Sequence, residues 1–142
     1  MNLDPIIALV DAIGIFKKVG TVEELADLAS EPTLGLPAAF VISDSLSAQD
    51  AAGGTQIFEQ LVTELFAVVV IVGADGARRG AAQGSLQQLE EEVIAALAGT
   101  MVAGVERPLS LADSRLLGLG AGRASRLIRF RAIRRFRTIR PL

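Results

Sequence analysis

The chain has 142 residues, 51% of them hydrophobic, and contains neither cysteine nor histidine. The missing cysteine excludes disulfides and thiolate catalysis, and the missing histidine excludes Ser-His-Asp and Cys-His nucleophilic systems. Any metal site would have oxygen ligands only, which suits magnesium or calcium. The length predicts a single domain, residues 1–142, with one hydrophobic core.

The formal net charge of −2 conceals a polarised chain. Residues 1–105 contain four basic and fourteen acidic residues, a net charge of −10, whereas residues 106–142 contain ten arginines and two acidic residues, a net charge of +8. The two segments should attract each other, either within one chain or between neighbouring chains of a head-to-tail ring. A basic segment that binds nucleic acid is the alternative.

The first element predicted is a helix over residues 4–18. Asp4 and Pro5 are typical of a helix start, and apolar residues follow at helical spacing. A strand over residues 16–22 is the alternative for its second half. The N-terminus has no basic n-region, so we expect no signal peptide. The longest apolar run, residues 65–74, is far below the roughly 20 residues that span a bilayer, so we expect a soluble chain.

Three shorter patterns follow in the chain. Thr21 and Glu24 have the spacing of a capping box, which predicts a short second helix from Val22 to Ala29. Ala38 to Ser43 is an apolar run typical of a strand. Asp44 to Thr55 is a polar, glycine-containing linker, and linkers of this length are often functional or ordered by a partner.

The central strand is predicted from Gln56 to Gly73. Its first half alternates between apolar and polar residues, and its second half ends in five β-branched residues, Val68 to Val72. A strand that begins on an open rim and ends buried on both faces has this pattern. Ile57, Leu61 and Leu65 also repeat at helical spacing, but the β-branched run favours a strand.

A second long helix is predicted after a turn at Gly73 to Gly76 and a loop or frayed helical turn at Arg78 to Gly84. Leu86 to Leu97 has a clean amphipathic pattern, and Gly99 is typical of a helix stop. The run Glu90 to Glu92 lies on this helix, where successive side chains point in different directions. We therefore interpret it as a solvated or partner-facing charge run rather than a cation site.

The C-terminal third predicts a hairpin of two antiparallel strands. Residues 108–119 alternate loosely, glycines at 118, 120 and 122 mark a turn, and residues 125–140 alternate again. A phosphate-binding loop is the alternative interpretation of the glycines. However, Arg123 stands where a dinucleotide fingerprint needs its third glycine, and no helix is predicted after it.

The last strand places arginines on one side and mostly apolar residues, including Phe130 and Phe136, on the other. Arginines in this arrangement can pair with acids of an adjacent subunit, bind phosphates beside stacking aromatic rings, or face solvent. We expect the two phenylalanines in the core, away from the arginines, which favours a protein interface. The candidate interface residues are Arg129, Arg131, Arg135, Arg137, Asp44, Asp50, Gln56, Glu90 and Glu91.

No catalytic constellation is evident in the sequence. Glu59 and Glu64 have opposite parity on the central strand, so they cannot form a catalytic carboxylate pair there. There is no P-loop lysine pattern. We therefore expect no catalytic residue, no metal site and no cofactor.

Two motifs together resemble the tail terminator proteins of long-tailed bacteriophages. One is the run Pro37 to Val41 (PAAFV) ahead of a long strand carrying Gln60, Glu64 and Phe66. The other is the run Ala95 to Gly99 (AALAG) that closes the second long helix. The resemblance covers most of residues 3–140.

The resemblance implies an α/β (α+β) subunit with a mixed, mainly antiparallel sheet of four to five strands and two main helices packed on it. It further implies a homo-oligomeric ring of six subunits that caps the head-proximal end of the tail tube. Such a ring would end tube polymerisation, contact the tail tube protein and the head-tail connector or neck proteins, and let DNA pass through its lumen. The protein would be a non-enzymatic virion component, assembled in the host cytoplasm without a membrane.

Other functions stay open at this point. One is a head-completion or connector protein of the neck. A second is a small nucleic-acid-binding protein that uses the basic C-terminal segment, and a third is a small magnesium-dependent enzyme.

Overall fold

A computed structural model describes residues 1–28, 36–53, 56–73, 79–120 and 122–140. These residues form three helices and a five-stranded sheet. The mixed, mainly antiparallel α+β fold is therefore confirmed. In chain order the elements are α1 (Asp4–Ala12), β1 (Lys18–Gly20), α2 (Val22–Leu28), β2 (Ala38–Ala48), β3 (Ile57–Gly73), α3 (Arg79–Leu97), β4 (Ser110–Gly120) and β5 (Arg123–Ile139).

The sheet is built around the predicted central strand, which is present as β3. The strand order is β1-β2-β3-β5-β4, with β1 and β2 parallel and the other neighbours antiparallel. Strand β3 pairs with β5 along its whole length, from Ile57 opposite Ile139 to Gly73 opposite Arg123. At ~3.3 Å per residue these two 17-residue strands are about 55 Å long.

Helices α1 and α3 cover one face of the sheet, which we call the helix face. Their buried side chains, such as Val10 and Leu97, pack on Phe66 and Val68 of β3 and Phe130 of β5. Helix α2 packs against the opposite face, where a smaller cluster includes Phe40, Val69 and Leu127. The second half of β3 is therefore buried on both faces, as the continuous apolar run predicted.

Helix α1 ends at Ala12 rather than at about residue 18. Gly14 adopts a left-handed conformation with φ of 78°, and its N–H donates to the Asp11 carbonyl at 3.1 Å. A glycine takes this conformation without a Cβ clash, so it terminates the helix there. The chain then enters β1, in which Lys18 pairs with Ala38. The strand proposed as the alternative for this segment is therefore correct.

The short second helix is confirmed as α2, with Ala29 outside the described residues. The Glu24 carboxylate contacts the Lys18 ammonium of β1, and the backbone N–H of Thr21 donates to the same carboxylate. The pKa of Glu24 lies below its ordinary value of 4.5, mainly because Lys18 donates a hydrogen bond to the carboxylate. The hydrogen bond from Thr21 lowers the pKa further. The predicted capping box thus also fastens α2 to the edge of the sheet.

Strand β2 continues to Ala48, so the prediction of a linker beginning at Asp44 is wrong. The register shifts between Ser43 and Ser45, which makes Asp44 the extra residue of a bulge. Pairing then continues to Ala48 opposite Val62 because β3 reaches back far enough to hydrogen-bond this serine-rich segment. The linker proper is residues 49–56, of which 54 and 55 lie outside the described residues.

Helix α3 begins at Arg79, so of the two predictions for Arg78 to Gly84, a loop or a frayed helical turn, the helical one is correct from Arg79 onward. Alanine and glutamine at positions 81–83 are good helix formers and outweigh the two glycines that flank them. The helix ends at Leu97, and Gly99 follows with φ of 81°, as predicted. The turn expected at Gly73 to Gly76 falls mostly within residues 74–78, outside the described ranges.

The C-terminal hairpin is confirmed by β4 and β5, with Gly122 at φ of 72° in the turn between them. The glycine cluster therefore joins two strands and does not open a helix. Within the described ranges, no helix is both long enough and apolar enough to cross a membrane.

Candidate interface on the arginine-bearing sheet face

The odd-numbered arginines of β5 lie on the face opposite α1 and α3, which we call the arginine face. Arg129 Nε donates to Asp113 Oδ1 at 2.7 Å across the β4–β5 ladder, where the two residues are direct partners. Its Nη1 also donates to Asp44 Oδ2 at 3.2 Å. The bulge in β2 places Asp44 where it reaches Arg129, and the structure therefore brings two predicted site residues together.

Hydrogen bonding shifts the titration of this group of charges. Chiefly because the Arg129 side chain donates to it, the pKa of Asp113 lies below its ordinary value of 3.8. The carboxylates of Asp113 and Asp44 in turn raise the pKa of Arg129. All three side chains are partly exposed, so salt screens the interaction.

A second cluster lies further along β5. Arg135 donates from Nη1 to Glu59 at 3.3 Å and from Nε to Glu106 at 3.3 Å. Arg137 Nε lies 3.1 Å from the other oxygen of Glu59, so one carboxylate bridges two guanidinium groups. Arg131 donates to the Leu111 carbonyl at 3.4 Å and forms no ion pair with any described residue.

The arginine face is therefore a network of paired charges. Three of its arginines, Arg129, Arg135 and Arg137, form ion pairs with four carboxylates of the same chain, which offsets much of the positive charge. A surface built to bind nucleic acid non-specifically needs uncompensated positive charge along its length. The arrangement instead suits contacts in which each guanidinium shares its five N–H donors between acids of its own chain and those of a partner.

The other predicted site residues lie elsewhere. Asp50 and Gln56 are exposed in the connection between β2 and β3, and the Gln56 carbonyl accepts from the Arg140 N–H. Glu90 pairs with Arg126 between α3 and the sheet, on the helix face. Glu91 is exposed on α3. The acids of α3 therefore do not meet the arginine face of the same chain.

Sequence reasoning missed a buried ion pair. Glu64 is only 6% exposed, and its carboxylate accepts from Arg134 Nε at 3.0 Å and from the Met1 amino group at 3.4 Å. Both residues stand at apolar-parity positions of neighbouring strands, β3 and β5. The pair could have been predicted from the sequence, because Glu64 and Arg134 are opposite charges and each interrupts the apolar side of its strand.

Phe136 is not in the core, contrary to the prediction, whereas Phe130 is. Phe130 is fully buried and stacks on Phe66 with ring centroids 5.5 Å apart. Phe136 is 53% exposed and meets Phe58 edge-to-face at 6.3 Å. The strands extend beyond the part of the sheet that the helices cover, so the alternation continues there without a core. We call this end of the β3–β5 ladder the arm, residues 57–61 of β3 and 135–139 of β5. On its other edge, this part of β3 pairs with the connection that follows β2, through the Gln49 N–H to the Leu61 carbonyl and the bridge between Ala52 and Glu59.

The helix face has an open cleft between α3 and β4. It has a volume of about 200 Å³ and is lined by Leu86, Gln87, Leu116 and Arg126. Glu90 neutralises the Arg126 guanidinium at its wall. Among the residues that the structure describes, no group of three or more acidic side chains is placed to hold a metal ion.

The fold and the paired charges define an α+β protein with an extended sheet face suited to protein contacts. A family model described as phage tail terminator protein matches residues 1–136 of the chain. The chain belongs to the phage tail terminator family, and it is a structural protein of a phage-like virion tail. The resemblance inferred from the sequence is confirmed.

Among solved structures, one with the same fold serves for comparison. It is a chain from the virion of a native gene transfer agent particle, with 17% sequence identity and a TM-score of 0.53. The match covers 91% of this chain and 86% of that chain. No curated protein sequence matches the chain.

Proposed function

We propose that the chain forms a ring of six subunits at the head-proximal end of the tail tube. There it ends tube polymerisation and provides the surface that joins the tail to connector or neck proteins, with a lumen through which DNA passes. The observation that carries this proposal is the family match over residues 1–136. The protein acts as one domain, residues 1–142, and by assembly rather than catalysis.

The subunit interface includes the arginine face. Arg131 has no ion pair among the described residues, and Arg135 and Arg137 are about half exposed, so guanidinium donors remain for a neighbour. Asp50 and Gln56 lie on the exposed connection beside the arm and contribute to partner contacts. The polarised charge of the chain fits a head-to-tail ring, in which each copy uses two different surfaces.

The first test is the mass of the purified protein by light scattering, together with negative-stain images of the same fractions. We expect rings of six subunits, or a monomer that forms rings once tail tube is added. Tube protein polymerised with the ring should stop growing at capped ends. A monomer that ignores tail tube and retains nucleic acid would overturn the proposal in favour of a nucleic-acid-binding protein.

The role of the arginine face is tested by replacing Arg129, Arg131, Arg135 and Arg137 with serine. We expect the variant to fold but not to form rings. Because this change also leaves four acids unpaired, the matched control replaces Asp44, Glu59, Glu106 and Asp113 together with the arginines. That combined variant should match the native fold and still fail to assemble. If both variants form normal rings, the arginine face is not an interface.

A further inference from the structure

Strand β5 continues past the end of its neighbour β4, and this leaves one backbone edge of the arm open. Pairing between β4 and β5 ends where Ser110 lies opposite Arg131. Beyond that pair, the described residues supply one backbone hydrogen bond to this edge, from the Glu106 N–H to the Ile133 carbonyl at 2.8 Å. The last residues of β5, Arg135 to Ile139, have no strand beside them on that side within the described ranges.

The hydrogen bonds around the arm show which backbone groups point to the open edge. The Arg140 N–H donates to the Gln56 carbonyl, so even-numbered residues in this part of β5 direct their backbone groups towards β3. The Ile133 carbonyl points the opposite way. Because backbone groups alternate along a strand, the odd-numbered residues present their N–H and C=O groups at the open edge. These residues are Arg135, Arg137 and Ile139.

The other open edges of the sheet are poorer templates for a further strand. Strand β1 spans only Lys18–Gly20. The open part of β2 is interrupted by the bulge at Asp44, and β4 has two breaks in its register with β5. Short strands offer few hydrogen bonds, and bulges twist an edge away from a partner. The register of β5 with β3 is unbroken to Ile139, so the open end of β5 is regular throughout.

Side chains along this edge differ between the two faces of the sheet. Arg135 and Arg137 lie on the arginine face and share the Glu59 carboxylate, so N–H donors of their guanidinium groups stay free for a partner. Phe136 lies between them in the sequence and is 53% exposed on the helix face. A strand beside this edge would therefore meet positive charge on one face and an aromatic ring on the other.

We propose that an extended segment of a partner protein adds to this edge, antiparallel to β5, with acidic residues beside Arg135 and Arg137 and an apolar residue beside Phe136. Residues directly opposite on neighbouring strands share a face, so the segment alternates acidic and apolar residues. Main-chain hydrogen bonds hold such a strand, and its side chains make the contact specific. The segment belongs to a tail or neck protein, and for this source the inference rests on the proposed function.

A second copy of this chain does not fit the edge. In the register that pairs two open edges completely, the two copies of Arg137 would lie opposite each other, and like charges in that position destabilise a sheet. Asp44 on the open part of β2 and Asp113 on β4 both already pair with Arg129. No open edge in the described part of the chain alternates acidic and apolar residues.

Synthetic peptides test strand addition on the native protein. A fluorescent peptide of about eight residues that alternates valine and glutamate should bind, as measured by fluorescence anisotropy. The same residues arranged as one valine block and one glutamate block should bind at least about tenfold more weakly. Equal binding of the two peptides would show that charge alone attracts them and would overturn the inference.

Methylation of peptide nitrogens separates strand pairing from charge attraction. In the antiparallel arrangement, the glutamates opposite Arg135 and Arg137 donate their N–H groups to the open edge, whereas the valines direct theirs away. The alternating peptide N-methylated on its glutamates should therefore bind at least about tenfold more weakly than the one N-methylated on its valines. Equal binding, or the reverse order, contradicts the proposed contact.

Arg137→Pro tests the edge from the side of the protein. It removes one N–H that points to the open edge and leaves the hydrogen bonds to β3 in place. Arg137→Gln is the matched control, because it loses the same charge but keeps the N–H. With both variants shown to be folded by circular dichroism, Arg137→Pro should bind the alternating peptide about fivefold more weakly than Arg137→Gln. Equal affinities would overturn the inference, and if Arg137→Pro does not fold, the methylated peptides decide.

Ring formation separates this inference from the proposed function. If the native protein forms rings but does not bind the alternating peptide, only this inference fails. If it never forms rings, even with tail tube, the proposed function fails. If Arg137→Pro abolishes rings that Arg137→Gln still forms, a second copy occupies the edge and the inference is wrong.

Discussion

The Glu64–Arg134 pair joins the two longest strands at the base of the arm. Glu64 is almost fully buried, whereas the Arg134 side chain keeps 26% of its exposure, so water reaches one partner only. A buried carboxylate is tolerated when its oxygens accept charged hydrogen bonds, and here Arg134 and the Met1 amino group supply them. This pair ties the helix face of the sheet to the N-terminus, in a position where apolar residues would otherwise meet.

We expect Glu64→Gln to destabilise the protein by about 1–3 kcal/mol, less than for a fully buried pair because Arg134 is partly solvated. The measurement is the free energy of unfolding in denaturant. Glu106→Gln is the control: that carboxylate is 42% exposed, and its loss should cost less than about 0.5 kcal/mol. Equal effects of the two substitutions would show that burial does not strengthen the Glu64 pair.

The Asp113–Arg129 pair predicts a pH dependence. The pKa of Asp113 is lower in the folded than in the unfolded chain because Arg129 donates to it, so the pair stabilises the fold above pH 3.8. That contribution disappears as the pH falls through the lowered pKa. The native protein should therefore be more stable than Asp113→Asn at pH 7, and the two should converge once the pH has fallen below the lowered pKa of Asp113.

Thermal unfolding from pH 7 down to pH 2 measures this convergence. Asp11→Asn is the control, because Asp11 is exposed and forms no ion pair among the described residues. This variant reports the effect of replacing a carboxylate that has no arginine partner. A constant difference between Asp113→Asn and the native chain would contradict the prediction.

Single residues were predictable where parity alone decides their environment. The arginines at odd positions of β5 share one face, and Glu59 and Glu64 lie on opposite faces of β3, as alternation requires. Phe136 was not predictable, because parity says which face a side chain occupies but not whether a helix covers that face. The intrachain partners of the arginines were also hidden, since the Asp44 bulge that reaches Arg129 is set by pairing between distant strands.

At the scale of elements, Gly99 separates α3 from the loop that leads to β4. Its φ of 81° is one that side-chain-bearing residues rarely adopt, and a Cβ there would meet no other atom within 4 Å. Gly99→Ala should therefore cost about 1 kcal/mol of stability through backbone strain alone. Denaturant unfolding measures the change.

Gly73 at the end of β3 is the matched control for Gly99. A Cβ at Gly73 would also meet nothing within 4 Å, but its φ lies outside the left-handed region. Gly73→Ala should leave stability unchanged or raise it slightly, by less than about 1 kcal/mol. If both alanine variants behave alike, conformation is not what selects glycine at position 99.

Elements with a strong local pattern were predicted, and those decided by their neighbours were not. The β-branched run of β3 and the amphipathic pattern of α3 identified a strand and a helix, and glycines marked the hairpin turn correctly. The extension of β2 beyond Ser43 has no such pattern, because its residues pair only where β3 offers hydrogen bonds. Helix α1 ends early because of Gly14. The apolar residues on both sides of Gly14 continue the helical spacing, so the sequence pattern does not show where the helix ends.

At the scale of the whole molecule, the contacts of the proposed ring and the fold of its subunits should respond differently to salt. Contacts between exposed charges weaken as the screening length falls from about 10 Å at 0.1 M to about 3 Å at 1 M salt. The core of each subunit is apolar and should be unaffected. We therefore expect light scattering to show rings dissociating at high salt while circular dichroism stays unchanged. A mass independent of salt would mean that apolar contacts alone hold the ring.

The ladder between β3 and β5 also constrains how the subunit folds. Gly73 pairs with Arg123 and Ile57 with Ile139, so their pairing closes chain segments of about 50 to 80 residues. Such distant pairing is slow, and β3 waits for a partner strand that the ribosome makes later. During that interval the arginines of β5 give the late strand a charge that opposes premature association with other copies. The strand that completes the sheet is thus also the strand least able to aggregate before the sheet exists.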